Sequence, residues 1–154
     1  MSLPEITTIK LKDIEFGKGV KIVQPCNLYG CKVGSHSFVG PFVEIQKGAK
    51  IGKHCKIQSH SFICDMATIG DHCFVGHGVM FVNDDFKSGG PAGGDRSLWK
   101  PIEIGNQVSI GSNSTILPVK VCDGCVIGAG SVVTTDLIVK GVYAGNPARL
   151  IRKL

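Results

Sequence analysis

Residues 33–81, VGSHSFVGPFVEIQKGAKIGKHCKIQSHSFICDMATIGDHCFVGHGVMF, place an aliphatic or aromatic side chain on every sixth position. The series is Val33, Val39, Ile45, Ile51, Ile57, Ile63, Ile69, Val75 and Phe81. The next residue is often glycine (Gly34, Gly40, Gly52, Gly70, Gly76), and the residue four places on is usually small (Ser37, Val43, Ala49, Cys55, Ser61, Ala67, Cys73, Val79). A period of six belongs neither to a helix nor to the two-residue alternation of a strand, so it is the period of a repeated unit. Three hexads make one turn, and stacked turns align like with like. Val33, Ile51 and Ile69 then form one internal column, Val39, Ile57 and Val75 a second, and Ile45, Ile63 and Phe81 a third. Backbone hydrogen bonds between turns about 4.8 Å apart would make a triangular prism of three parallel sheets, with energetics that run along one axis.

Outward from this stretch, the period begins at Phe16, Ile22 and Leu28 and drops one residue before Val33. After Phe81 it is lost: residues 87–101 (KSGGPAGGDRSLWKP) hold four Gly and two Pro, a composition that marks a loop. The period resumes at Ile104, Ile110 and Ile116, slips one residue, and continues at Val121, Ile127, Val133 and Val139. The expected chain is all-β, with about six triangular coils. Its parts are a lead-in over 1–15, a helix body over 16–148 with a protruding loop at 84–103, and a basic tail at 149–154. The last ten residues, GNPARLIRKL, read as a turn followed by a short helix or strand.

At 154 residues the chain suits one repeat array, and 43% apolar residues with 21 Gly fit a turn-rich, packed β protein. The net charge of +5 is spread along the chain, which argues against a nucleic-acid stripe and suits a polyanionic small ligand such as a nucleotide or coenzyme. The opening MSLPEITTIK has no basic and apolar leader pattern, and no eighteen-residue apolar run follows. A cytoplasmic protein without a membrane partner is expected. Of the seven cysteines, Cys26, Cys55, Cys73 and Cys125 fall in the small-residue slot, where a thiol serves as a small apolar group. Structural thiols in a reducing compartment are therefore expected. Cys31, Cys64 and Cys122 fall in other slots.

The pattern resembles the hexapeptide-repeat acyltransferases, whose fold is a left-handed parallel β-helix; the handedness is implied by the resemblance alone, since the usual crossover rule favours the right hand. The most family-like segment is IGNQVSIGSNSTILPVKVCDGCVIGAGSVVTTD (104–136), followed by AGNPARLIRK (144–153). Within the family, FVGHGVMFVND (74–84) with a Gly-rich loop ending in Trp99-Lys100 resembles the nucleotide-linked amino-sugar N-acetyltransferases. The resemblance implies acetyl-CoA as co-substrate, lying in a groove between chains of a homotrimer. Flat β faces without helical cover also call for a partner.

Acetyl transfer from a thioester needs a positioned nucleophile, a sink for its proton and donors to the developing oxyanion. His36, His54 and His72 share the slot three after the aliphatic residue and should form a ladder up one corner, with His60 in the same slot on another. An exposed turn position explains them without metal binding. His72 and His77 are spaced as in the zinc site of the γ-class carbonic anhydrases, but the next ligand position is Val82, so no metal site is expected. The galactoside and maltose O-acetyltransferases carry a catalytic His in the loop after this turn; here no His follows His77. A hydroxyl acceptor needs such a base, whereas a neutral amine attacks without one. Asn83 and Asp84 are the candidates for holding the amine and attracting its cation, unless they only cap the turn into the loop. His77 is a candidate proton acceptor. It lies one hexad before Asn83, hence one side of the triangle away, so the two could share a site only across two subunits. For the coenzyme, the resemblance implies Gly111, Ser112, Gly128 and Ala129, small residues that let pantetheine approach the backbone. Trp99 flanks ligand or anchors the loop, and Arg149, Arg152 and Lys153 meet phosphates or form a solvated tail. The expected reaction is N-acetylation of a nucleotide-linked amino sugar for surface polysaccharide synthesis, with sugar O-acetylation or a non-catalytic β-helix binding protein as alternatives.

Overall fold

A hexad has room for only two extended residues before the chain must turn, so the strands are pairs in which one residue faces out and the next faces in. The computed structural model describes residues 11–154, and these pairs make three faces. The first face stacks Glu15–Phe16, Lys32–Val33, Lys50–Ile51, Ala67–Ile69, Ile102–Ile104 and Lys120–Val121; the third stacks Asn27–Leu28, Glu44–Ile45, Phe62–Ile63, Met80–Phe81, Thr115–Ile116 and Val132–Val133. The second face runs Lys21–Ile22, Phe38–Val39, Lys56–Ile57, Phe74–Val75, Ser109–Ile110, Val126–Ile127 and Gly141–Ala144. All three expected columns form: Val33 pairs with Ile51 and Ile51 with Ile69, Val39 with Ile57 and Ile57 with Val75, and Ile45 with Ile63. Phe81 continues the third column onto Ile116. The fold is the left-handed parallel β-helix expected. No α-helix occurs among the described residues, and no helix is long and apolar enough to cross a membrane.

Six coils are complete, and Leu137 (bridged to Val121) with Gly141–Ala144 begins a seventh. Here one expected position fails. Val139 is 38% exposed, whereas Leu137 is buried and takes the inward place over Val121. The last coil is cut short, so extrapolating by sixes overshoots by two. Ile69 pairs directly with Ile104, so the loop is an insertion that leaves the stack intact. Both one-residue slips, before Val33 and before Val121, fall at the same third-to-first corner as the loop.

The two recurring slots have physical causes. The small residue lies inside the corner, two before each inward aliphatic, and Ser37, Val43, Ala49, Cys55, Ser61, Ala67, Cys73 and Val79 are all buried. Counted this way, Cys31 also belongs to the slot, two before Val33 and 1% exposed. At four of these slots a hydroxyl or thiol donates to the carbonyl of the glycine one coil on: Ser37 Oγ to Gly52 O (2.8 Å), Ser61 Oγ to Gly76 O (2.8 Å), Cys55 Sγ to Gly70 O (3.1 Å) and Cys73 Sγ to Gly105 O (3.1 Å). The slot three after the aliphatic is the left-handed residue that turns the chain. His36, His54, His72 and Gln107 have φ of 54° to 60° at one corner, and Phe42, His60, Gly78 and Asn113 have φ of 58° to 65° at the next. Gly, Asn and His are the residue types that tolerate this region. The imidazoles stack at 5.1 Å (His36–His54) and 4.8 Å (His54–His72), a ladder that follows from corner geometry. The tail resolves as a strand, Arg149–Lys153, antiparallel to Gly141–Ala144, and it covers what would be an open parallel edge.

Ser61 tests the corner. Its hydroxyl also accepts Val79 N at 3.4 Å. Ser61→Ala should cost about 1–2 kcal/mol for the orphaned carbonyl, and Ser61→Leu about 3 kcal/mol for overpacking, read by urea denaturation.

Candidate active site

The candidate residues gather in two clusters at opposite margins of the third face. One occupies the corner between the second and third faces. His77 sits there on coil four; its backbone N–H donates to Ser112 Oγ (3.2 Å), its carbonyl accepts Asn113 N (2.8 Å), and its Nδ1 is 2.8 Å from Ser59 Oγ. Gly111 and Ser112 lie on the next coil and Gly128 and Ala129 on the one beyond, joined by Gly76 N to Ile110 O and Gly111 N to Ile127 O. Gly128 N donates to Tyr143 O, and Ala144 above it pairs with Arg149. His77, Ser112, Ala129 and Arg149 therefore mark one continuous edge, with His77 and Ala129 exposed.

The glycines of this edge are small for a reason other than the expected one. A Cβ on Gly111 would lie 2.4 Å from Ala129 N, and one on Gly76 would lie 2.7 Å from Ser112 N. Their missing side chains make room for the next coil, along the axis. A ligand approaching from outside meets Ser112 and Ala129, so the thinness of the edge is a by-product of stacking.

The other cluster occupies the corner between the third and first faces. Asn83 Nδ2 donates to Asp65 O (3.0 Å), and Asn83 O accepts Lys100 N (2.9 Å). The amide nitrogen is thereby engaged, which leaves Oδ1 as the side chain's acceptor atom. Both oxygens of Asp84 hold the loop: Oδ1 accepts Phe86 N (2.9 Å) and Oδ2 accepts Ala92 N (2.7 Å). Trp99 closes the short 3-10 turn Arg96–Leu98 and stands with Asn83 over Gln46, Phe62 and Met80, around an open cleft of about 480 Å³. Trp99 thus belongs with the loop and Asn83, apart from the glycine-lined edge. Asn83 and His77 lie at the two ends of Met80–Phe81, about one side of the triangle apart, as the hexad spacing requires.

The slot count passes over three features of this chain. Asp65, 9% exposed, receives the Arg96 fork, Nε to Oδ2 at 2.7 Å and Nη2 to Oδ1 at 3.2 Å, and accepts Met66 N at 2.6 Å. The pair holds the guanidinium above its ordinary range and pins the loop to coil three. A lone Arg within a Gly-rich insertion, with an acid at a corner position, was the available signal. Asp85 pairs with Lys100 at the loop's base, and that ammonium lowers its carboxyl below the ordinary value. Cys122-Asp123-Gly124-Cys125 is a Cys-x-x-Cys pair. Among the described residues no group of three or more His, Cys, Asp or Glu could hold a metal.

Comparison with known proteins places the chain. The bacterial transferase hexapeptide family matches residues 30–65, and the hexapeptide repeat of succinyl-transferase matches residues 101–135. The chain is 35% identical to the bifunctional protein GlmU of Gloeobacter violaceus over 82% of its own length and 29% of GlmU. It is 35% identical to the galactoside O-acetyltransferase of Escherichia coli K12 over 79% of its length and 63% of that enzyme. It therefore spans less than two thirds of these relatives. A hexapeptide-repeat acetyltransferase of Vibrio cholerae, solved with acetyl coenzyme A, superimposes with a TM-score of 0.68 at 28% identity, covering 81% of this chain and 71% of that one. The chain carries the hexapeptide repeats that these family models describe and is similar to acetyltransferases built from them.

Arg96→Ala should release the loop: amide exchange at Ala92 and Ser97 rises, and limited proteolysis cuts within residues 87–95, with the β-helix intact. The Asp85–Lys100 contact has the acid signature. Because the folded carboxyl titrates below its ordinary value of 3.8, its contribution is complete above that pH and is lost as pH falls through the lowered value. Exchange from the loop should rise over that acid window.

Proposed function

We propose that this chain is an acetyl-CoA-dependent N-acetyltransferase that acetylates the amine of a nucleotide-linked amino sugar. It works in the cytoplasm as a homotrimer and supplies surface polysaccharide synthesis. The observation that carries the reading is the pairing of an Asn83 carbonyl with a loop that lacks histidine. Asn83 Oδ1 is oriented to accept an N–H of the neutral amine, which leaves the nitrogen lone pair free to attack. Asp84 keeps the loop closed through its two backbone contacts, and its charge favours an incoming ammonium. The His77–Ser112–Ala129 edge takes the coenzyme, with Arg149 and the neighbouring Arg152 and Lys153 toward its phosphates.

The amine nitrogen bonds to the thioester carbonyl carbon, the carbon–sulfur bond breaks, and the coenzyme thiolate leaves. The surplus proton on nitrogen passes to water or to His77 Nε2, since Nδ1 faces Ser59. The separation of the two clusters within one chain supports a site built between copies, where the Asn83 loop of one faces the His77 edge of another. Side-chain chemistry supports this as well. Five of the six outward positions on the first face are charged (Glu15, Lys32, Lys50, Glu103, Lys120; the sixth is Thr68), while Phe74 on the second and Met80 on the third are 39% and 41% exposed.

A coupled thiol-release assay over a panel of nucleotide amino sugars tests the activity. Asn83→Ala should lower kcat/KM about a hundredfold, the scale of a misplaced nucleophile, and His77→Ala should lower it less. Near-wild-type turnover in both Asn83→Ala and Asp84→Ala would remove those residues from the site. Acetylation of a hydroxy analogue with none of the amine would replace this reading with O-acetylation, and absence of acetyl-CoA binding by calorimetry would replace it with a non-catalytic role. Sedimentation should give a trimer.

A further inference from the structure

The corner between the first and second faces on coil six holds two sulfurs in contact. Cys122 and Cys125 flank a tight turn in which Gly124 has φ +69°, and their Sγ atoms are 3.4 Å apart. The turn brings residues three apart within the Cα range a disulfide requires, and side-chain rotation closes the rest. The other cysteines differ. Cys26, Cys31, Cys55, Cys64 and Cys73 are all buried. Cys55 and Cys73 donate to carbonyls at 3.1 Å, and burial pushes the thiols of Cys31 and Cys64 up to about 11 and about 12. Burial keeps all five from meeting reagent.

Cys122 alone is partly exposed, and it lines an open cleft of about 680 Å³ on the first face with Met66, Glu103, Lys120 and Ile138. Cys125 is 0% exposed, and besides Cys122 its sulfur has a long 3.6 Å contact to Val139 O. One sulfur that reagent reaches and one behind it that reagent does not is the arrangement of an attacked and a resolving thiol.

We propose that Cys122 and Cys125 form a reversible dithiol–disulfide pair that exchanges with small disulfides of the glutathione class. The Cys122 thiolate attacks one sulfur of the oxidant, making a mixed disulfide and releasing one glutathione thiolate. Cys125 then gives up its proton and attacks Cys122 Sγ, displacing the second. Two protein thiols are oxidised to one disulfide, and one glutathione disulfide is reduced to two thiols. Burial, and then the hydrogen bond with Cys122, push the Cys125 thiol up to about 11, which keeps it protonated until the mixed disulfide is beside it. The pair lies just before Val126–Ile127, the strand that Gly128 and Ala129 follow, but the proposal does not depend on the catalytic reading.

The test is incubation of the folded full-length chain with excess glutathione disulfide, followed by thiol titration and peptide mass mapping. Wild type should lose two of its seven thiols, become two hydrogens lighter, and yield a linked 122–125 peptide that dithiothreitol reopens. Cys125→Ser should stop at a glutathione adduct on Cys122, and Cys122→Ser should lose no thiol. The slot of Cys125 carries Ser at 37, 61, 114 and 131 at other corners of the prism, so that variant is expected to fold. Three results would each overturn the proposal: all seven wild-type thiols surviving, a stable adduct on Cys122 in wild type, or equal thiol loss in Cys122→Ser.

Discussion

Close axial approach between coils is the constraint from which the rest of this structure follows. Inter-coil bonds such as Gly34 N to Ile51 O and Gly52 N to Ile69 O are 2.8 Å long, so at Gly34, Gly52 and Gly111 the next backbone occupies the space a Cβ would take. The same closeness leaves the inside of each corner room for only a small side chain, and at Ser37, Cys55, Ser61 and Cys73 its hydroxyl or thiol serves a glycine carbonyl one coil on. Most sides of the prism also end in a left-handed residue. Packing, polarity and backbone conformation are thereby set together, six residues at a time, and the interior is a column of Val, Ile and Phe.

This explains why residues that look chemical are often architectural. The three stacked imidazoles occupy positive-φ corners, a place where His, Asn and Gly are exchangeable; Gln107 and Gly124 continue the same corner. Four of the cysteines expected to be structural fill small slots for the same reason. The departures are informative. Asp65 is a nearly buried carboxylate satisfied by a guanidinium from the insertion, and Cys122 is a thiol outside the small slot.

The insertion leaves the stack at the corner where coil length already varies, and Ile69 meets Ile104 as though it were absent. Such a loop can change without disturbing the prism. Its shape is held by Asp84, by the Arg96–Asp65 fork and by Lys100–Asp85, all polar contacts near the surface, and Trp99 and Asn83 are set over the third face as a result. At the other margin of that face, the His77 edge is set by the coils alone. A rigid edge and a separately anchored loop are thus set by different interactions.

The six-residue period was enough to determine the three columns, the small slot, the coil count and the place of the insertion, because each follows from a repeat that the chain states directly in side-chain size. The separation of His77 from Asn83 was legible for the same reason: one hexad is one side. What tertiary structure decided is everything in which residues distant in sequence meet through polar atoms. It assigned Asp84 to the loop backbone, paired Arg96 with Asp65, grouped Trp99 with Asn83, moved the inward place from Val139 to Leu137, and brought Cys122 against Cys125. Periodicity records which side chains must be apolar or small. It carries no information about hydrogen-bond partners, because a polar corner residue is compatible with the repeat whichever neighbour it finds.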